Sequence, residues 1–346
     1  MKELLDKIFQ LNSLAIVGME KNVGKTTTMN YIIENAWGKH LLGLTSIGID
    51  GEKEDQVTGT DKPMVYVEKG TLIATAKSAY LSSDLTKGVL ATTGLQTPMG
   101  EVVIFEALSD GFVELMGPSI NKYLKLVIQK LKVLGSRLVI VDGALSRRTM
   151  ASPAIADGVI LATGAAVSRD MQEVVVETAH RIDLLQIDYE KNQEKVELVK
   201  SGLGQGKVCF IQGDELQVTD EVTAIGAEST IKTGLEAGAE GVIIGGVVGD
   251  RLIEYLVSQR VALEGKVIYV EDGTKLFLKE ENYRRLQLKG AKVLGLNPIN
   301  IQLVTVNPYS PEGYFFDSSE LCQLLHERIQ LPVFDVISKI GVGVEG

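Results

Sequence analysis

Short apolar runs ending in glycine, aspartate or asparagine recur along this chain, with helical stretches between them. "SLAIVG" (13–18), "RLVIVDGA" (137–144), "DGVILATG" (157–164) and "NIQLVTVN" (300–307) are the clearest. A strand that is apolar on both faces is buried on both, as in a parallel sheet covered by helices. "KTTTMNYIIENAW" and "RDMQEVVVETAHRIDLL" read as helices, and "SINKYLKLVIQKLKVLG" (119–135) places Ile120, Leu124, Val127, Ile128 and Leu131 on one helical face. The alternation predicts an α/β fold with a mainly parallel sheet.

With 346 residues the chain has room for about two domains. Charge and polarity rise over 187–206, which predicts a first domain over 1–200 and a C-terminal α/β domain over 201–346. Within the first, "PMVYVEKGTLIATA" and "GEVVIFEALSDGFVELMG" are β-rich. They predict an antiparallel β-hairpin insertion over about 57–118, with Asp110-Gly111 as a hairpin turn.

The first apolar run leads into "GMEKNVGKTTT" (18–28). A phosphate-binding P-loop places four residues between its first glycine and Gly-Lys-Thr; here five lie between Gly18 and Gly24. The context, a buried strand followed by a helix, is the one such a loop requires. Glycine permits the backbone angles that turn N–H groups inward, and the helix directs the positive end of its dipole at an anion. Gly18, Asn22, Val23, Gly24, Lys25, Thr26 and Thr27 are therefore the candidate nucleotide-binding residues. Lys25 supplies charge to the β- and γ-phosphates and Thr26 offers its hydroxyl to Mg²⁺. Asp142, at the end of "LVIVD", is the candidate metal-ordering and catalytic acid. Asp50 ends another strand candidate, "LLGLTSIGID" (41–50), as a second metal ligand or part of a switch. No Asn-Lys-x-Asp guanine motif is present, which favours ATP and leaves GTP open.

Composition bounds the remaining classes. A net charge of -10 argues against a nucleic-acid backbone as partner. Cys209 and Cys322 form no CxxC pattern, and His40, His180 and His326 are scattered, so no zinc spacing appears; a reducing cytoplasm is the expected compartment. No run reaches the roughly 18 apolar residues of a membrane span. The opening "MKELLDKIFQLNS" carries Glu3 and Asp6, so it reads as an amphipathic helix instead of a signal peptide.

The spacing Gly-x5-Gly-Lys-Thr resembles the loop of dethiobiotin synthetase and related SIMIBI-class P-loop proteins. Partition ATPases of that class carry a signature lysine where this chain has Glu20, so their lysine-assisted hydrolysis is not expected. A wider resemblance rests on residues 15–28, 44–52, 141–148, 156–165 and 304–317, which are similar to the KamB reactivase-subunit family beside lysine 5,6-aminomutase. That resemblance implies an accessory ATPase using ATP and Mg²⁺, partnered by a MutS-like ATPase subunit and the aminomutase. It leaves room for a homodimer whose second copy supplies a group such as Arg147.

Other candidates carry a bland alternative. Arg147 and Arg148 suit a γ-phosphate or an exposed loop pair. Ser168 reads as a helix cap, and Asp272-Gly273-Thr274 as a turn and cap at a strand end. Asn297-Pro298 and Asn307-Pro308 suit a pocket lining or simple turns. "NPYSPEGYFF" (307–316) either packs a loop or forms a partner surface. Three function classes stay open: a reactivating accessory ATPase, a dethiobiotin-type ATP-dependent ligase, and a nucleotide-binding regulator with little turnover.

Overall fold

A computed structural model describes residues 1–48, 64–143 and 155–344. Two compact units share the chain: residues 1–179 with 300–346, and residues 180–299. The first stretch builds α1 (Lys2–Ile8), β1 (Ser13–Gly18), α2 (Lys25–Ala36), β2 (Leu42–Ser46), β3 (Val65–Val67), β4 (Leu72–Ala76), α3 (Lys77–Ser82), β5 (Lys87–Thr97), β6 (Gly100–Ala107) and β7 (Gly111–Val113). It continues with α4 (Asn121–Val133), β8 (Leu138–Asp142), β9 (Gly158–Gly164) and α5 (Met171–Leu185). The middle of the chain builds α6 (Gln193–Gly204), β10 (Cys209–Gln212), β11 (Glu215–Val218), α7 (Glu228–Glu236), β12 (Gly241–Ile243), β13 (Val248–Gly249) and α8 (Asp250–Ser258). It ends with β14 (Val267–Tyr269), β15 (Leu276–Phe277), α9 (Glu280–Leu288) and β16 (Lys292–Leu294). The last stretch adds β17 (Ile301–Asn307), α10 (Ser318–Ile329), β18 (Val333–Asp335) and β19 (Ile340–Val342).

The first unit is built on a ten-stranded sheet, in the order β19-β18-β17-β9-β1-β8-β2-β4-β6-β5. The strands from β18 to β4 run parallel, while β19 pairs antiparallel with β18, β6 with β4, and β5 with β6. This is the α/β architecture with a large, mostly parallel sheet that the apolar runs predict. β1 and β9 are buried along their whole length. On α4 the buried face is Leu124, Val127, Ile128 and Leu131; Ile120 precedes the helix and is exposed. Leu14, Ile16, Met29, Ile32, Ile33, Leu44, Ile73, Phe105 and Ile140 belong to one core cluster, the main source of stability through apolar burial.

The expected boundary near residue 200 is corrected. Residues 300–346 belong with the first unit, because β17 pairs in parallel with β9 from Ile301 to Asn307. A strand buried on both faces needs a neighbour on each side, and β9 and β18 supply them. The polar stretch 187–206 is mostly α6, whose charges lie on its exposed side while Val199 and Gly202 are buried.

The β-rich region is corrected in part. Asp110-Gly111 is not a hairpin turn: β7 pairs with β3. Asp110 instead accepts a bond from the Lys69 amide at 2.8 Å. The hairpin is β5–β6, and β4, β6 and β5 extend the main sheet. Hydrogen-bond demand explains this, since β2 would otherwise leave an edge unpaired.

The second unit carries a five-stranded sheet, β11-β10-β12-β14-β16, in which β12, β14 and β16 are parallel. No described helix in either unit is long and apolar enough to cross a membrane.

Candidate phosphate-binding site

The carboxyl ends of β8, β1, β9 and β17 lie side by side in the first unit, the place where open α/β sheets bind ligands. The turn from β1 to α2 occupies this edge. Asn22 and Gly24 both have left-handed backbones, with φ of 60° and 84°. Glycine adopts this conformation freely, and asparagine tolerates it best among the other residues.

Gly18 is closely packed by its neighbours. A Cβ there would stand 2.8 Å from Lys25 Cδ and Nζ and 2.9 Å from Val23 Cγ2. The Lys25 side chain therefore folds back over Gly18, and its ammonium donates to Glu20 O at 3.2 Å. Val23, 1% exposed, pegs the turn to the core. The Met19 amide donates to Ala162 O at 2.8 Å, so the turn begins still paired to β9.

α2 is an uncapped helix. Its N-cap is Gly24, which makes no side-chain cap bond, and its first turn holds no acid. The first helical bond runs from Thr28 N to Gly24 O at 2.9 Å. The start of the helix thus presents amide dipoles beside Lys25, with no acidic residue in its first turn. Thr26 and Thr27 are half-buried beside it. Thr28 points inward instead and meets Thr305 of β17, hydroxyl to hydroxyl, at 2.8 Å.

Asp142 ends β8 opposite Ile16 of β1 and Ser46 of β2. Its backbone is held from both sides: the Gly143 amide donates to Ile16 O and the Ile47 amide to Asp142 O, each at 3.1 Å. The fold thus brings Gly18, Asn22, Val23, Gly24, Lys25, Thr26 and Thr27 together in one turn, with Asp142 at the end of the neighbouring strand. The donor set fits a Mg²⁺-polyphosphate: amides and a lysine for the anion, and a threonine hydroxyl with a carboxylate for the cation. Asp50, Arg147 and Arg148 lie outside the described residues.

Sequence patterning left one participant between a pocket lining and a simple turn. Asn307, at the end of β17, donates its Nδ2 to Asn22 O at 2.8 Å. Its proximity to Pro308 reads as a turn, so the signal that exposes its role is three-dimensional. The Asn307–Phe316 loop is both packed and exposed. Tyr314 Oη donates to Ala165 O at 2.5 Å, and Arg169 forms an ion pair with Glu312 at 2.6 Å that pushes the Arg169 pKa up. Tyr309 and Phe315 meet with ring centroids 6.2 Å apart and remain largely exposed.

Two further candidates are structural. Asp170, not Ser168, sits just before α5 and takes the Gln172 amide at 2.8 Å; Ser168 Oγ accepts from the Asp170 amide at 3.1 Å. The cap shifts by two residues because the Asp170 carboxylate reaches the first helical turn directly. Asp272 is buried and accepts from the Thr274 amide at 2.9 Å and from its hydroxyl at 2.5 Å, which is the cap role its sequence suggests. Compared with known proteins, the chain matches no family model, no curated protein and no solved structure.

Proposed function

We propose that the Gly18–Gly24 turn is a P-loop that binds a Mg²⁺-nucleoside triphosphate, with ATP favoured over GTP. The observation that carries this is the uncapped, acid-free start of α2 with the Lys25 ammonium folded over Gly18. In this reading the amides of the turn and Lys25 bind the phosphates by charge-assisted hydrogen bonds. Thr26 and Asp142 hold the metal, whose charge offsets that of the phosphates. Glu20 stands where a signature lysine would be, so hydrolysis by the protein alone is slow, well below the ~10 s⁻¹ typical of enzymes.

The biological setting follows the resemblance to the KamB family. The protein is an accessory ATPase that acts with a MutS-like subunit to reactivate a cobalamin- and pyridoxal-phosphate-dependent lysine 5,6-aminomutase, in the cytoplasm. Nucleotide turnover matters here only if it changes affinity for one state of the mutase, since differential affinity is what shifts a population.

Calorimetry with Mg²⁺-ATP and Mg²⁺-GTP tests the binding step, and the absence of saturable heat with both overturns it. The role is tested by recovery of an inactivated mutase with fresh adenosylcobalamin and ATP, using wild type and Lys25→Ala with the MutS-like subunit. Equal recovery by both refutes nucleotide-driven reactivation. ATP consumption that depends on a carboxylate substrate would replace this role with a ligase.

A further inference from the structure

We propose that Asn307 is a positioning residue that sets the phosphate-binding conformation of the Gly18–Gly24 turn. The inference rests on the nucleotide reading of that turn. Asn307 donates to Asn22 O at 2.8 Å across 285 positions of sequence. In a trans peptide the C=O and N–H of one unit point in opposite directions. Holding the Asn22 carbonyl towards Asn307 therefore turns the Val23 N–H away from Asn307. The carbonyl held this way belongs to Asn22, whose left-handed φ of 60° sets the direction of the turn.

Asn307 is itself held in place. Its carbonyl accepts from the Ala165 amide at 2.9 Å, and its Oδ1 accepts from the Tyr309 amide at 3.2 Å. A Cβ on Gly164 would lie 2.0 Å from Asn307 O, so only glycine lets the two backbones approach this closely. Asn307 Cβ also lies 3.2 Å from where a Cβ on Gly24 would stand. The donor is thus fixed before any ligand arrives, and a preorganised donor holds the turn without a further ordering cost. Asn307 acts through the turn and needs no contact with the nucleotide base.

The test uses the full-length chain. Asn307→Ala is titrated with Mg²⁺-ATP and with Mg²⁺-tripolyphosphate, which has no base. The expected result is an equal loss for both, about five- to tenfold, the worth of one hydrogen bond. Hydrogen exchange without ligand is measured at the amides of Val23 to Thr26, expected to be faster in Asn307→Ala and in Asn307→Asp. The aspartate keeps the side-chain shape and the acceptor for Tyr309 but has no donor for Asn22, and it serves if the alanine variant does not fold. Unchanged affinity and unchanged exchange overturn the proposal. A loss confined to ATP overturns it too, because Asn307 would then act on the base. If wild type binds neither ligand, the nucleotide reading fails, and exchange at 23–26 still decides whether Asn307 holds the turn.

Discussion

Helix starts in this chain fall into two kinds: in the first unit α1, α5 and α10 carry an acid in the first turn, whereas α2, α3 and α4 do not. In the 180–299 unit the four α-helices α6 to α9 each carry an acid in the first turn. α6 has Glu194 and is capped by Asn192, α7 has Glu228, α8 has Asp250, and α9 has Glu280 and Glu281. These acids are engaged within the fold: Glu228 is buried against Arg251 at 2.8 Å, and Asp250 takes the Lys279 amide and Asn282 Nδ2, each at 2.8 Å. α2 of the first unit has neither cap nor acid and begins with Lys25. A helix dipole met by its own carboxylates has little left for an external anion, whereas under the proposed reading the acid-free start of α2 takes its negative charge from the phosphates.

The largest expected effect is removal of the cation at the start of α2. Lys25→Ala should weaken Mg²⁺-ATP binding by about 100-fold, as expected when a charge-assisted contact to phosphate is lost. Calorimetry measures this, and an unchanged affinity would break the contrast between the two kinds of helix start.

Thr27→Asp gives α2 the first-turn acid that α6 to α9 have. Its carboxylate should stabilise the helix start by about 0.3–1 kcal/mol while repelling phosphate, so Tm should rise slightly as affinity falls by about tenfold or more. A variant that binds ATP as wild type does would show that the open helix end is not the binding element.

Asp142→Asn keeps shape and removes charge. Binding in the presence of Mg²⁺ should fall by roughly tenfold, with binding in EDTA nearly unaffected, because only the metal contact is lost. Equal losses in both conditions would remove Asp142 from the metal.

Asp272→Ala is the counterpart in the second unit and should leave ATP affinity unchanged. It should lower stability by about 1–2 kcal/mol, through loss of the cap and the stranded Thr274 hydroxyl. Denaturant melts followed by circular dichroism measure it.

Several elements were legible because their determinants are local. The apolar runs of β1, β8 and β9 need nothing beyond their own sequence to be recognised as buried strands, and Gly24-Lys25-Thr26 is readable as the turn from a strand into a helix. Asp272 was readable as a cap for the same reason, since its partner is two residues away. Asp110-Gly111 misled because a favoured turn dipeptide says nothing of which strand its neighbours will pair with, and β7 chose β3. The division near residue 200 misled because α6 concentrates charge on its exposed face without ending a domain.

By itself the sequence determined the α/β alternation, the glycine–lysine turn between a buried strand and a helix, and the absence of acid in the first turn of α2. These depend on periodicity and on neighbours within a few residues. Only tertiary structure decided that residues 300–346 return to the first unit, that Asp142 stands beside β1, and that Asn307 holds Asn22. The physical reason is that strand pairing satisfies backbone hydrogen bonds without regard to distance along the chain. β17 could complete its hydrogen bonding only between β9 and β18, and in doing so it carried Asn307 to a turn 285 residues away.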